Sequence, residues 1–247
     1  MLSELALLIQ RSRRAVVVTG AGISAESGVP TFRGKEGLWG KFRPEELATM
    51  EAFIANPKIV WEWYNWRREL LKNVAPNTGH LSLVELAHYF ESMVVVTQNV
   101  DGLHRMAGSQ DVLEIHGNIT KNKCAECSRP IELAGDIEPT SLPRCGRCGG
   151  QIRPDVVWFG EMLPEAVIER AFQLSGEADI FFSIGTSALV HPAASLPLVA
   201  YRAGATLVEI NPEPTPLTPL AHIAISGKSG EILPDLVAQI RKMREAS

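Results

Sequence analysis

Four short apolar runs recur along the chain, and each of them ends in a cluster of polar or small residues. The four runs are Ala15–Thr19, Met93–Thr97, Ile180–Ile184 and Ala205–Ile210. Continuous apolar runs of this length are typical of β-strands that are covered on both faces. Segments with helical spacing lie between them, over Leu81–Phe90, Glu165–Leu174 and Ala194–Arg202. This alternation predicts an α/β fold with a doubly wound parallel sheet.

The other segments predict a short first helix and two insertions. The apolar residues between Leu2 and Arg14 keep a helical period, so we expect an amphipathic helix there. A tryptophan-rich, helical stretch begins at Lys35, and a stretch rich in cysteine, glycine and proline begins at Lys121. We therefore predict a discontinuous α/β domain over residues 1–34, 78–120 and 155–247, a helical insert over 35–77 and a second insert over 121–154.

The first apolar run leads directly into the glycine-rich segment Gly20–Gly34. Glycines and small hydroxyl residues after a buried strand allow backbone N–H groups to approach a phosphate. In open α/β sheets, ligands bind outside the carboxyl ends of the strands, which is where the polar clusters of this chain fall. The segment therefore predicts a nucleotide cofactor. The usual dinucleotide fingerprint is only partly matched, because Ala25 stands where a third glycine is common, and the glycines alone could instead serve a tight turn with positive φ.

The four cysteines of the chain form two Cys-x-x-Cys pairs, Cys124 with Cys127 and Cys145 with Cys148. Each pair can place two thiolates on one turn, and two such turns complete a tetrahedral zinc site. Disulfides are the alternative, but they are disfavoured in the reducing compartment that we expect for this chain. A site with four thiolates has no open position, so we predict a structural zinc ion in the insert over 121–154.

Composition and charge narrow the range of partners. The chain has 247 residues, of which 45% are hydrophobic and 21% charged, as in an average globular protein. Its formal net charge of -4 supplies no basic field for a nucleic-acid backbone. We see neither an apolar run of the roughly 18–20 residues that a membrane span needs nor a secretory leader, and we expect a cytoplasmic protein.

Six motifs occur in a fixed order along the chain. They are Gly20–Gly34, Thr97–His104, Glu114–Asn118, the two cysteine pairs, Val157–Glu161 and Gly185–Ser187. In this order they resemble the sirtuin family of NAD-dependent protein lysine deacylases, over a region from Ala15 to about Leu233. The resemblance implies an inverted Rossmann-like domain with a small zinc-ribbon insert and a helical insert.

The resemblance also implies which residues bind NAD. They are Gly20, Ala21, Gly22, Ser24, Phe32, Arg33, Gln98, Asn99, Val100, Asp101, Gly185, Thr186, Ser187, Asn211, Pro212, Glu213 and Ser229. Ala21, Gly22 and Ser24 would line the phosphates and the nicotinamide ribose, with Phe32 over the reactive ribose carbon and Arg33 in the loop over the cofactor. Gln98, Asn99 and Asp101 would contact the ribose hydroxyls and the nicotinamide carboxamide. The residues from Gly185 onwards would contact the adenosine. Without the resemblance, Ser187 and Asn211 could equally be helix caps.

The catalytic residues that the resemblance implies are His116 and Asn99. Nicotinamide leaves as the acyl-lysine carbonyl oxygen attacks the ribose carbon, and a peptidyl imidate forms. With an ordinary pKa near 6.5, His116 can take a proton from a ribose hydroxyl, which then attacks the imidate. Water finally releases lysine and 2′-O-acyl-ADP-ribose. We interpret the other histidines as core, cap or surface residues.

Peptide and acyl binding are implied for three further segments. An acyl-lysine peptide would add as a strand between Val157–Glu161 and Ala188–Val190, with contacts from Val157, Phe159, Gly160 and Leu189. Residues Val156–Phe159 could also be an ordinary buried strand. Tyr64 and Arg67 lie three apart on one helix face, where a phenol and a guanidinium can bind a carboxylate.

The pair of Tyr64 and Arg67 matches the sirtuin subclass that removes succinyl and malonyl groups, and Ala48 matches the small residue that leaves room for the longer acyl chain. By residue type alone, Arg67 would be a solvated surface arginine. Three other functions compete with deacylation: an NAD-dependent dehydrogenase, a mono-ADP-ribosyltransferase, and a binding module built on zinc knuckles. The dehydrogenase and the binding module each leave part of the motif set unexplained.

Overall fold

The computed structural model describes residues 1–31, 37–38, 43–133 and 141–245. Its helices are α1 (Leu2–Arg11), α2 (Ala21–Ala25), α3 (Pro44–Leu47), α4 (Met50–Ala55), α5 (Pro57–Lys72), α6 (Thr78–Leu86), α7 (Leu103–Ala107), α8 (Glu165–Glu177), α9 (Leu196–Arg202) and α10 (Ser229–Glu245). Short 3₁₀ turns occur at Ala87–Tyr89, Ala193–Ser195 and Thr218–Leu220. The amphipathic first helix is confirmed, with Leu5, Ala6 and Ile9 on its buried face.

In the described part of the chain, the main sheet has six strands: β1 (Arg14–Thr19), β2 (Ser92–Thr97), β3 (Val112–Glu114), β7 (Ile180–Ile184), β8 (Thr206–Asn211) and β9 (Ile223–Ser226). They are parallel and run in the order β3-β2-β1-β7-β8-β9. Val17 stands between Val95 on one side and Phe182 on the other. The strand order reverses between β1 and β7, so the crevice at their carboxyl ends is the expected ligand position.

Helices cover both faces of this sheet, as the apolar runs predict. On one face Val17 and Phe182 pack with residues of α1, α6 and α10, including Leu83 and Leu236. On the other face Val16 and Val18 pack with residues of α8 and α9. Because successive side chains of a strand point to opposite faces, both sets must be apolar when both faces are covered. The doubly wound α/β fold is therefore confirmed.

A second, antiparallel sheet contains β4 (Gly117–Cys124), β5 (Pro130–Ile131) and β6 (Ile152–Val156) in the order β5-β4-β6. It packs against α5 in a third apolar cluster, which includes Trp61, Tyr64, Ile119, Val156 and Trp158. The indole nitrogen of Trp61 donates to the backbone oxygen of Ile152 at 3.2 Å. The helical stretch and the cysteine-rich stretch therefore share one core.

Several element ends differ from the sequence-based prediction by a few residues. The helix predicted over Leu81–Phe90 begins earlier, at Thr78, because the Asn77 side chain accepts hydrogen bonds from the backbone of Gly79 and His80. The interpretation of Val156–Phe159 as an ordinary strand was wrong, because β6 ends at Val156. None of the helices in the described ranges combines the length and hydropathy that a membrane crossing requires.

Candidate active site

A cavity of about 480 Å³ lies at the carboxyl ends of β1, β2, β7 and β8. Many of the residues predicted to bind a cofactor line it: Gly20, Ala21, Gly22, Gln98, Asn99, Val100, Gly185, Thr186, Ser187 and Asn211. His116 and most residues predicted at the peptide and acyl positions also line it: Ala48, Tyr64, Arg67, Val157, Phe159 and Gly160. One cavity thus joins segments that are far apart in the sequence.

The glycines after β1 are required by the close approach of a second strand end. A Cβ on Gly22 would lie 2.7 Å from the backbone of Gly185, and one on Gly20 would lie 2.8 Å from the Gly185 oxygen. The Gly22 N–H donates to that same oxygen at 2.8 Å. The φ of Gly20 is -123°, which is extended, and the φ of Gly22 is not positive. The alternative that these two glycines serve a turn with positive φ was therefore wrong. Gly185 itself has φ +59°.

Hydrogen bonds hold the polar side chains of the β2 end in place. The Asn99 side-chain amide donates to the Gly20 oxygen at 3.0 Å and to Ser24 Oγ at 3.0 Å. The Gln98 side-chain amide donates to Thr186 Oγ1 at 3.0 Å. These bonds connect the ends of β1, β2 and β7, so the three strand ends form one rigid floor for the cavity.

Asp101 and Ser24 lie at a second, smaller cavity of about 30 Å³ that shares Asn99, Val100 and Arg67 with the first. A carboxylate oxygen of Asp101 accepts from the Leu103 N–H at 2.9 Å. Burial raises the pKa of Asp101, while the Leu103 and Ser24 hydrogen bonds and the Arg67 charge act to lower it. Asp101 therefore lies beside the floor of the main cavity rather than in its described lining.

His116 has a defined tautomer. Its Nδ1 lies 3.0 Å from the backbone oxygen of Gln98, and a carbonyl oxygen can only accept, so Nδ1 carries the proton. Nε2 then holds a lone pair. Burial lowers the pKa of His116 from 6.5, and the bond to Gln98 partly offsets this effect. Neutral His116 can accept a proton at Nε2 at physiological pH.

The four cysteines come together as the spacing predicts. Their sulfur atoms all lie within 4.8 Å of one another, and all four thiols are free. Because thiolates are the form that binds metal, this donor set could hold one zinc ion. The disulfide alternative was wrong.

Known proteins are similar to this chain over nearly its whole length. Residues 20–192 match the model of the Sir2 family, which covers more than half of the chain. The chain belongs to the Sir2 family. It is 49% identical over 248 residues to a protein of Pyrococcus furiosus named NAD-dependent protein deacylase, and the match covers 98% of this chain and 99% of the relative.

Solved Sir2 structures resemble this one closely. A complex of a Sir2 homologue mutant with ADP-ribose superposes with a TM-score of 0.94 at 45% identity, covering 99% of this chain and 98% of that chain. A Sir2 complex with a deacetylated p53 peptide and 3′-O-acetyl ADP ribose superposes with a TM-score of 0.84 at 32% identity, covering 96% and 98%. The inverted Rossmann-like fold of the Sir2 family is thereby confirmed.

At the end of the cavity that is predicted to take the acyl group, Ala48, Tyr64 and Arg67 are all buried. The Arg67 guanidinium lies 4.9 Å from the Trp63 ring centroid and 5.9 Å from that of Tyr64. Burial lowers the pKa of Arg67, and the nearby Tyr64 and Asp101 act to raise it. The interpretation of Arg67 as a solvated surface residue was therefore wrong.

The segments predicted to bind the peptide form the rim of the cavity. Phe159 is 48% exposed and Leu189 is 53% exposed, although Leu189 itself is outside the described lining. The Val157 N–H donates to the His116 oxygen at 2.9 Å, and the Phe159 N–H to the Ala48 oxygen at 2.9 Å. Ala188 has φ +53°, an unusual conformation for a residue with a side chain. His191, which the sequence reasoning did not single out, lines the cavity beside this rim.

Some predicted cofactor residues of this Sir2-family chain lie elsewhere. Phe32 and Arg33 fall outside the described residues. Pro212, Glu213 and Ser229 are not in the described lining of either cavity. The Ser229 hydroxyl donates to the Glu26 carboxylate at 3.3 Å, which connects the start of α10 to the end of α2.

Two of the histidines interpreted as core, cap or surface residues, His80 and His104, are buried beneath the strand ends. His80 Nε2 lies 3.5 Å from Ser24 Oγ, and His104 Nε2 lies 2.9 Å from Thr19 Oγ1. Burial lowers the pKa of His80 to about 4, and burial together with His80 lowers that of His104 to about 3. Both are neutral near pH 7. Their neighbours in sequence are unremarkable, so only their burial identifies them.

Proposed function

We propose that this chain is an NAD-dependent protein lysine deacylase that favours succinyl and malonyl groups and removes acetyl groups as a second activity. It would release nicotinamide and 2′-O-acyl-ADP-ribose. The observation that carries this proposal is that Tyr64 and Arg67 close one end of the cavity that also contains His116 and the strand-end residues. A potential base, His116, and a potential carboxylate site at Tyr64 and Arg67 thus line the same cavity.

NAD would be a substrate of this cavity rather than a permanently bound group. Ala21, Gly22 and Ser187 line the cavity, and their small side chains leave room for phosphates and ribose hydroxyls. Asn99 and Gln98 are held in place by their bonds to neighbouring strand ends. A preorganised polar floor of this kind orients a ligand without reorganising during the reaction. We assign NAD binding to these residues and nicotinamide departure to the region around Asn99.

His116 would be the general base. With Nδ1 donating to Gln98, the Nε2 lone pair takes the proton of a ribose hydroxyl, and that hydroxyl oxygen attacks the acyl carbon bound to the ribose. A later water supplies the oxygen that allows lysine to leave. Because burial lowers its pKa, His116 keeps its lone pair throughout the neutral range.

The acyl end favours a negatively charged group. The Arg67 side chain is only 9% exposed, so its charge has lost most of its hydration. A succinyl or malonyl carboxylate would accept charge-assisted hydrogen bonds from Arg67 and a hydrogen bond from the Tyr64 hydroxyl. A neutral acetyl group cannot do so. Ala48, which also lines the cavity, leaves space for the longer chain.

The peptide would bind along the rim as an added strand. Phe159, Gly160 and Val190 line the cavity, and Leu189, next to Val190 in the sequence, is exposed. Recognition through backbone hydrogen bonds tolerates many sequences. We therefore propose a range of acyl-lysine proteins as substrates, with no direct role for nucleic acid or a membrane.

We propose a structural role for zinc at the four cysteines. When bound, zinc would cross-link the two turns of the insert over 121–154 and so stabilise the small sheet. Separately, we propose that the nucleotide-binding domain comprises residues 1–34, 78–120 and 155–247, with the helical insert over 35–77. Metal analysis of the purified protein should give one zinc per chain. Removal by a chelator should reduce the ordered structure of the insert and lower turnover, and a zinc-free protein with normal folding and turnover would refute this role.

The deciding experiment measures nicotinamide release with NAD and two matched peptides, one carrying succinyl-lysine and one acetyl-lysine. A higher kcat/KM for the succinyl peptide supports both the chemistry and the acyl preference. Turnover of the acetyl peptide alone keeps deacylation and removes the preference. ADP-ribosylated protein as the product would favour the alternative, a mono-ADP-ribosyltransferase, and NADH would indicate a dehydrogenase.

A further inference from the structure

The Tyr64 hydroxyl has a buried hydrogen-bond donor beside it. The indole Nε1 of Trp158 lies 2.8 Å from the Tyr64 hydroxyl oxygen, and both side chains are 2% exposed. An indole N–H can only donate, so Tyr64 must accept in this bond. The hydroxyl proton then points away from Trp158, and one of the two oxygen lone pairs is occupied.

The Trp158 ring is itself held from several sides. The guanidinium of Arg153 lies 3.4 Å from the ring centroid, and the Phe53 ring centroid lies at 5.2 Å. Arg153 donates to the Val156 backbone oxygen at 2.9 Å and to the Glu161 carboxylate. The same carboxylate accepts from the Trp158 backbone N–H at 2.8 Å. With these contacts on its ring and its backbone, the indole N–H keeps one direction.

We propose that Trp158 is a positioning residue for acyl selectivity, which orients the Tyr64 hydroxyl as a dedicated hydrogen-bond donor toward a terminal acyl carboxylate. This inference rests on the proposed function. A donor to the phenol oxygen also polarises the O–H bond and strengthens the bond that it donates. The hydroxyl would therefore favour an acceptor such as a carboxylate over a terminal group that carries N–H donors. Arg67 would supply the positive charge that attracts the carboxylate, and Trp158 would fix the direction of the Tyr64 O–H bond.

The alternative is that Trp158 only fills the core. It belongs to the apolar cluster of α5 and the small sheet, so any change there also affects stability. A packing role predicts equal losses for every acyl group. A positioning role predicts a loss that depends on the acyl terminus and on the presence of the Tyr64 hydroxyl.

The test compares Trp158→Phe, Tyr64→Phe and the double variant, using NAD and peptides that carry acetyl-, succinyl- or succinamyl-lysine. Succinamyl has the shape of succinyl but ends in a neutral amide. Trp61→Phe is the matched control, because Trp61 is buried in the same cluster and also donates its indole N–H, to the Ile152 oxygen. Trp61 is not in the described lining of the cavity. If Trp158→Phe does not fold, benzothienylalanine at position 158 replaces the N–H by sulfur and keeps the shape.

We expect Trp158→Phe to lower kcat/KM for the succinyl peptide about 2- to 10-fold more than for the acetyl peptide, as for the loss of one hydrogen bond. The ratio of kcat/KM for the succinyl peptide to kcat/KM for the succinamyl peptide should also decrease in this variant. In the Tyr64→Phe background the same change should have no further effect on either ratio, and Trp61→Phe should leave both ratios unchanged.

Equal losses for all three peptides, or an undiminished effect of Trp158→Phe in the absence of the Tyr64 hydroxyl, would overturn the positioning role. So would unchanged ratios. These outcomes are separate from failure of the proposed function, which the unaltered protein tests. If the unaltered protein shows no preference for succinyl over acetyl, the acyl preference and this role of Trp158 are both wrong.

Discussion

The two ends of the cavity are built from different structural elements and carry different charges. The cofactor end consists of strand ends of the main sheet, held by neutral groups such as Asn99, Gln98 and the buried His80. The end proposed to take the acyl group consists of α5 and the segment after β6, and it contains the buried guanidinium group of Arg67. If reaction chemistry resides at the first end and acyl choice at the second, each can be altered without the other.

Replacing the base should have the largest effect and should not depend on the acyl group. We expect His116→Ala to lower turnover about 100- to 10,000-fold with both succinyl and acetyl peptides, because proton transfer at Nε2 is lost. Nicotinamide release measures this effect, and circular dichroism checks the fold. The control is His88→Ala at an exposed position, which should retain turnover. A loss confined to one acyl group would place His116 at the acyl end instead.

Replacing the acyl-end cation should have a smaller and selective effect. Arg67→Met should lower kcat/KM for the succinyl peptide about 10- to 100-fold, because an interaction between a buried cation and a carboxylate is removed. Acetyl turnover should change much less.

The neighbouring Arg68 offers a matched control for this change. It is equally buried, and it donates to the backbone oxygen of Ile119 at 2.7 Å rather than lining the described cavity. Arg68→Met should reduce stability without altering the ratio of succinyl to acetyl turnover. The separation of the two ends fails if Arg67→Met harms deacetylation as much as desuccinylation.

A methyl group at the strand ends should disturb the cofactor end through packing. Gly22→Ala places a Cβ 2.7 Å from the Gly185 backbone, which cannot move aside as a side chain can. We expect a loss of stability of about 1–3 kcal/mol and weaker NAD binding for every acyl substrate. Gly176→Ala in α8 is the control, because the nearest atom to its added Cβ is a side-chain carbon at 3.8 Å. Chemical denaturation should show little change or a small gain there.

Acidification should lower the stability of the folded chain through two histidines buried beneath the strand ends. His80 and His104 have folded pKa values of about 4 and about 3, below their ordinary 6.5. The unfolded chain therefore binds more protons once the pH falls below 6.5, and stability decreases from there down to about pH 4 and beyond. Each histidine contributes up to about 1.4 kcal/mol per pH unit in this window. Urea midpoints measured across it should show the decline.

The His104→Asn variant sharpens this measurement. It should reduce the pH dependence by the share of one histidine, because one proton fewer distinguishes the unfolded from the folded state. An unchanged dependence would mean that His104 does not remain neutral in the folded protein. The decline below pH 6.5 would then have to come from other groups.

Local patterns in the sequence were sufficient for the elements and for the metal site. The apolar run at Ala15–Thr19 became β1 with one added residue, and Ile180–Ile184 became β7 with the same bounds. The cysteine spacing predicted the four-sulfur cluster. These features depend on residues within a few positions of one another, because strand alternation and the turn of a Cys-x-x-Cys pair are local geometries.

Contacts between distant segments were decided only by the tertiary structure. Helical spacing places Tyr64 and Arg67 on one face, but only the packing of α5 against the small sheet buries that face. The bond from Trp158 to Tyr64 joins residues 94 positions apart. A glycine is needed at position 22 because the backbone of Gly185, at the end of β7, lies where a side chain would be. The free energy of such contacts depends on which faces meet in the folded chain, and local sequence patterns carry no record of that choice.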